Sequence, residues 1–477
     1  MDPLDLVSKV IQKVTTGYGD KVKKEKSAPA ILDATPKKFK GKTFRAGFAM
    51  ADINPDNFGK KTLYIAGHGS GHVMTGQLSD VFASAVWLDC GDDKGIVWIS
   101  ADIVGLTKTE GDLVRAKIRA NGVLPEDCEI IISATHSHSG IDTIGYWGKP
   151  YASIPTDGKD PEYMQKLFYT MVGVAEKAYL TKTPGKLFSG YYHIEDGLRS
   201  GRQFNYKREN VYRLRFVPAN GDKETWIVNY GGHPNSLGGD NRMLSGEYVY
   251  FLRKLVNEKS DANLLYGIGA IGGMDMPMFD DANRVHCITE QGNMLYDGLT
   301  KIDNERELTP EISIITQDFY LPVDNNVLTL LAIIHTMSFD PYPCENSLTG
   351  VAMKTTMYYM NIGDQKILTL PGENFINTVV GHYDDEEHST TGKGPEINPE
   401  PLCEICDDEN LIVFGVTNDM TGYVVPPNDF VLNPTQPFLN GVHDRFDKNH
   451  YHETNSMGIN TQKIIADTFK KVVNNMK

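Results

Sequence analysis

No stretch of this 477-residue chain approaches the roughly 18 consecutive apolar residues of a membrane-spanning helix. Its first residues, MDPLDLVSKVIQKVTTGYGD, lack the basic start and apolar run of a signal peptide, so a cytoplasmic protein is expected. Cysteine is scarce, at six residues. Cys90, Cys128, Cys287 and Cys344 lie singly and are expected to pack as small hydrophobes. Cys403 and Cys406 form one CxxC; with no second CxxC, a four-cysteine zinc site is not completed. The pair does not open a helix after a strand, as a redox motif does, and reads as a reduced loop pair, with a zinc or redox role as the lesser alternative. Positive charge is also short: 47 Lys+Arg against 62 Asp+Glu give a net −15, which argues against nucleic acid as the main partner. The one dense basic run, Lys21 to Lys26, contains a glutamate and reads as a solvated linker.

What is present is a globular composition, 40% hydrophobic and 23% charged, without internal repeats. Residues 1–43 read as an N-terminal helix, with Leu4, Val7, Ile11 and Val14 at helical spacing, and a Lys/Pro/Ala-rich linker. From Phe44 to the C-terminus, short apolar runs such as IVWI (96–99) and EIIISA (129–134) alternate with amphipathic stretches such as 163–180 and the last twenty residues. That mixture predicts an α/β fold, mixed β-sheets packed with helices in a single large body spanning 44–477. Residues 383–410 carry ten acidic residues with Pro and Gly and read as an acidic insertion loop and candidate lid.

Four segments could carry chemistry. Thr135-His136-Ser137-His138-Ser139-Gly140 follows the strand 129–134, and in an extended backbone residues i and i+2 face the same way, so both imidazoles should project from a strand's carboxyl end. Strand WIVNY (226–230) runs into Gly231-Gly232-His233-Pro234, where glycines permit close backbone approach to a ligand. Strand KILTL (366–370) leads to Pro371-Gly372-Glu373, where Glu373 is either an acid in a helix's first turn, over ENFINTVVG, or a zinc carboxylate. Tyr423, after strand LIVFGV (411–416), is one of 23 tyrosines and means little alone.

Together these segments resemble the neutral (non-lysosomal) ceramidase family, zinc-dependent amidases that cleave N-acyl sphingosine. AGFAMADINP (46–55) and IVWISADIVGL (96–106) resemble that family's opening strands, and SATHSHSG (133–140) is close to its Ser-x-Thr-His-Thr-His-Ser-Gly signature. The resemblance implies that His136, His233, Glu373 and Tyr423 hold Zn2+. It further implies that His138 and Tyr451 contact the reacting group of a small-molecule or lipid-like N-acyl substrate. Asp102 could orient a ligand histidine as a hydrogen-bond acceptor; a strand-end turn is its alternative.

The chain also departs from that family. Met276, in Gly272-Gly273-Met274-Asp275-Met276-Pro277, stands where the family carries serine, so a serine role is expected to be lost. The family's C-terminal β-sandwich is not expected in these 477 residues. The expected activity is a zinc-dependent hydrolase cleaving an amide bond. The alternatives are a metal-dependent ester or phosphate hydrolase, and a non-catalytic ligand-binding homologue. Of the remaining polar residues, His68 and His72 in a glycine-rich turn could face substrate. Arg199 and Arg202 could meet substrate or form surface pairs. His443, His450 and His452 read as surface groups.

Overall fold

The apolar alternation of the strands sets the layering. In Gly95–Ala101, Val97, Ile99 and Ala101 point to one core and Ile96 and Trp98 to another. Glu129–Ala134 divides the same way, with Ile130 and Ile132 on one face and Ile131 on the other. A strand apolar on both faces must be covered on both. The computed structural model, which describes residues 3–151, 154–202, 206–381, 385–394 and 396–477, satisfies this with four layers.

Two sheets form the inner layers. In the nine-stranded sheet the order is 262–268, 224–230, 210–218, 183–193, 44–52, 82–89, 95–101 and 129–134, with 306–307 alongside 183–193. The six-stranded sheet runs 37–40, 311–322, 351–362, 365–369 and 412–414, with 341–343 alongside 351–362. Phe44, Trp98, Ile131 and Leu265 of the first sheet meet Ile314, Tyr358, Ile367 and Phe414 of the second in a core between them. Helices Pro161–Leu180 and Glu247–Ser260 cover the outer face of the larger sheet. The terminal helix Thr461–Met476 covers the smaller one through Ile465, Phe469, Val472 and Val473. The α/β expectation therefore holds. Among the described residues no helix is long and apolar enough to cross a membrane.

Several segments differ from the sequence reading. The N-terminal helix is long, Pro3–Glu25, and the stretch read as linker contributes strand Lys37–Lys40, paired with Glu311–Ile314. Strands Phe82–Asp89 and Glu311–Pro322 and helix Arg284–Thr300 are not among the expected elements. The acidic segment, of which 383, 384 and 395 lie outside the described residues, is not all loop. Leu402–Cys406 is a short helix whose Leu402, Cys403 and Cys406 are buried in the core beneath the terminal helix. Both cysteines are free thiols packed as hydrophobes.

Burial also pushes two carboxyls, Glu247 and Asp419, up to about 7. Each keeps a proton in the folded chain that the unfolded chain sheds above about pH 4. Their contribution is therefore complete below about pH 4 and is lost as pH rises through 7. In Glu247→Gln, thermal midpoints should fall less between about pH 5 and 8 than in the wild type. Superimposable pH profiles would contradict this.

Candidate metal centre

Both sheets contribute to the site. Residues 415–417, leaving the smaller sheet, bridge two strand ends of the larger: Gly415 N–H donates to Ile268 O, and Ala134 N–H to Val416 O. This crossing places the segments after Thr369 and Phe414 against those after Ala134 and Tyr230. Glu373 and Tyr423 are direct partners in a two-stranded parallel ladder, 373–374 with 423–424. Glu373 is thus a strand residue, not the first residue of a helix; the helix starts at Ile376.

His136 and His138 converge as expected, but by another route. The strand stops at Ala134, and His136 takes a left-handed backbone with φ of 63°. Such a conformation in a non-glycine residue is strained and is held by its surroundings. His136 Nδ1 lies 2.6 Å from Val104 O and His233 Nδ1 lies 3.0 Å from Met274 O. Both Nδ1 atoms therefore carry the proton and donate it outward, which leaves each Nε2 lone pair facing inward.

Inward, His233 Nε2 is 2.9 Å and His136 Nε2 3.4 Å from the same oxygen, Glu373 Oε2. His138 Nε2 is 3.1 Å from His136 Nε2. Lone pairs of two imidazoles and a carboxylate facing each other in a buried site repel unless protons or a metal cation lie among them. The donor set, imidazole nitrogen and carboxylate oxygen, suits zinc. His136, His138 and His233 offer ring nitrogens within 4.8 Å of one another, a group that could hold a metal ion. All are buried, His138 the least so at 8% exposure, and among the described residues its Nδ1 has no hydrogen-bond partner.

Burial sets the electrostatics. It would raise Glu373, but the His136 and His233 imidazoles hold that carboxyl well below its usual range. Burial, with His136 and His233 beside it, drives His138 well below an ordinary histidine, so its imidazole is neutral. Burial, with the Glu373 charge and the Tyr451 hydroxyl beside it, pushes the Tyr423 hydroxyl well above the usual phenol. Tyr451, 47% exposed, stands at the edge of the site with its hydroxyl toward Tyr423.

The other residues singled out in the sequence divide. Asp102 does not touch a histidine: it accepts a bidentate pair from Arg253, both contacts 2.9 Å, and the Phe82 N–H. The carbonyls of Val104 and Met274 do the orienting instead, a role any residue type can fill and hence invisible in sequence. His68 faces the site edge-on to His138, with ring centroids 5.0 Å apart. Arg199 donates to Met276 O. Arg202 and His450 are buried, not surface groups, in a network with Glu453 and Asp444. His452, also buried, stacks on Tyr451 at 3.9 Å and meets Tyr423 edge-on at 4.6 Å. Asp275, bonded to Asn235, acts electrostatically on both His233 and Tyr451. Asp275 is the neighbour that the sequence reading gave no role, and His452 the one it placed on the surface; the one signal is their position in GGMDMP and HYHETN.

Two substitutions test this packing. Gly67 has φ of 103°, and a Cβ there would lie 2.5 Å from His138 Cγ. Gly67→Ala should displace His138 and cut turnover at least about tenfold; unchanged kcat would contradict the contact. Met276 is fully buried, its sulfur against Gly232. Met276→Ser should cost about 3 kcal/mol of stability without raising activity, because the side chain enters the core rather than the site. A gain in hydrolysis would contradict that placement.

A two-sheet body that closes buried imidazoles and a carboxylate around one point defines a protein with a candidate metal centre. Its fold is that of neutral ceramidase. It matches the crystal structure of neutral ceramidase from Pseudomonas aeruginosa with a TM-score of 0.63 at 15% identity, over 91% of this chain and 75% of that one. A structure of a ceramidase complexed with C2 matches with a TM-score of 0.62, also at 15% identity and the same coverage. No family model matches the sequence.

Proposed function

We propose that the protein is a zinc-dependent hydrolase that cleaves the amide bond of a lipid-like N-acyl substrate. His136, His233, Glu373 and Tyr423 hold the metal. The observation that carries this reading is the inward convergence of the His136 and His233 Nε2 atoms on Glu373, with both Nδ1 atoms tied to carbonyls. Bound zinc would supply a Lewis acid and a water ionised at neutral pH.

The chain's own groups do the rest. The neutral His138 imidazole and the Tyr451 hydroxyl contact the substrate carbonyl and stabilise charge as it develops on oxygen. His452, stacked on Tyr451, fixes the angle of that ring. Tyr423, between Glu373 and Tyr451, links the metal ligands to the substrate-facing edge. Six cysteines, with no disulfide among the described residues, fit a cytoplasmic location.

The test is hydrolysis of a panel of N-acyl amides, carboxylic esters and phosphate esters, with and without chelator. Chelator-sensitive cleavage of the amides is expected. Preferred cleavage of esters or phosphates would replace the amidase reading, and binding without turnover would make the protein a ligand-binding homologue.

A further inference from the structure

The N-terminal helix Pro3–Glu25 carries two apolar faces, and the body uses one. Ser8, Thr15 and Val22 are buried, and Ile11 and Tyr18 half-buried, along the face that packs on helix Asn326–Ile333 and strand Pro341–Pro343. Leu6, Val7, Val10 and Val14 line a second face at spacings of one, four and eight residues, and are 58%, 45%, 54% and 44% exposed. A row of four aliphatic side chains in water is a docking surface rather than scattered surface apolarity.

Charge says what it docks to. Lys9 and Lys13 flank the stripe and are exposed. Residues 3–26 hold six lysines against three carboxylates; Lys23 and Lys26 pair with Glu345 and Asp340 of the body, so the charge beside the stripe is that of Lys9 and Lys13. A helix with an aliphatic stripe and a lysine-rich polar side lies in the plane of an anionic lipid interface. A second copy of this acidic chain would match that charge only locally.

The helix is also tied to the segment that leads to Tyr451. Asp5 accepts a hydrogen bond from Gln436, and five residues on, Gly441 packs against the backbone of Tyr451.

We propose that this helix docks the protein on anionic lipid bilayers through Leu6, Val7, Val10 and Val14, with Lys9 and Lys13 meeting the headgroups. The test is co-sedimentation of the full chain with vesicles of phosphatidylcholine alone or with 30% phosphatidylserine, a readout that needs no activity. Binding to the anionic vesicles is expected, about tenfold or more weaker in Leu6→Ser/Val10→Ser/Val14→Ser and in Lys9→Glu/Lys13→Glu, and reduced by salt. Unchanged circular dichroism and thermal midpoint show that the variants keep their fold, since the substituted side chains are exposed. No binding by the wild type, or equal binding by the triple variant, would overturn the proposal. So would a wild-type dimer in light scattering that the triple variant converts to monomer, because a second copy would then occupy the stripe.

Discussion

His136→Ala and His233→Ala are each expected to lose the bound metal and more than about a hundredfold of hydrolytic activity. The estimate is a lower bound: residues that merely orient a metal ligand cost about 10–100-fold in affinity or activity when removed, and a ligand costs more. Each variant also leaves Glu373 with one imidazole fewer, of the two that hold it ionised. His138→Ala separates two ligand sets. His138 stands within 4.8 Å of the other two histidines and could itself ligate. With zinc on His136, His233, Glu373 and Tyr423, His138→Ala keeps its metal and loses turnover with little change in KM. Metal loss as complete as in His136→Ala would place His138 among the ligands instead.

Asp102→Ala is expected to cost stability and spare the metal. The carboxylate is fully buried and holds Arg253 through two contacts of 2.9 Å. Removing it strands a buried guanidinium, at a cost of about 3–5 kcal/mol. The thermal midpoint should fall by many degrees while the purified folded fraction retains its zinc. Arg253→Met/Asp102→Leu, which removes both charges, should recover much of the loss, because the penalty lies in the unpaired charge. Zinc loss in Asp102→Ala at a temperature where the chain remains folded would return Asp102 to the role of orienting a ligand.

The histidine and Asp102 variants mark what is legible in the sequence. Strand-end histidines and a Pro-Gly-Glu turn are local signals, and strand–turn–polar patterns survive in one sequence. The side-chain alternation of EIIISA and GIVWISA likewise shows strands covered on both faces. The details of the centre are not local. His136 reaches the site through a left-handed turn, not through strand alternation, and nothing in Thr-His-Ser-His announces that φ. The acceptors for His136 and His233 are main-chain carbonyls, which every residue offers. Asp102 looks like an acceptor for a ligand histidine's N–H because it follows a strand near the histidines. Its partner, Arg253, lies 151 residues away on a helix. The burial of His450 and His452 depends on Arg202 and on Phe375 and Tyr423, contacts that sequence distance hides.

The central claim is a metal centre built on His136, His233 and Glu373. Metal analysis of the full chain, purified without added metal and without chelator, tests it most directly. About one equivalent of zinc per chain is expected, falling to background in His136→Ala. Less than about a tenth of an equivalent in the wild type, with no uptake on zinc titration, would contradict it.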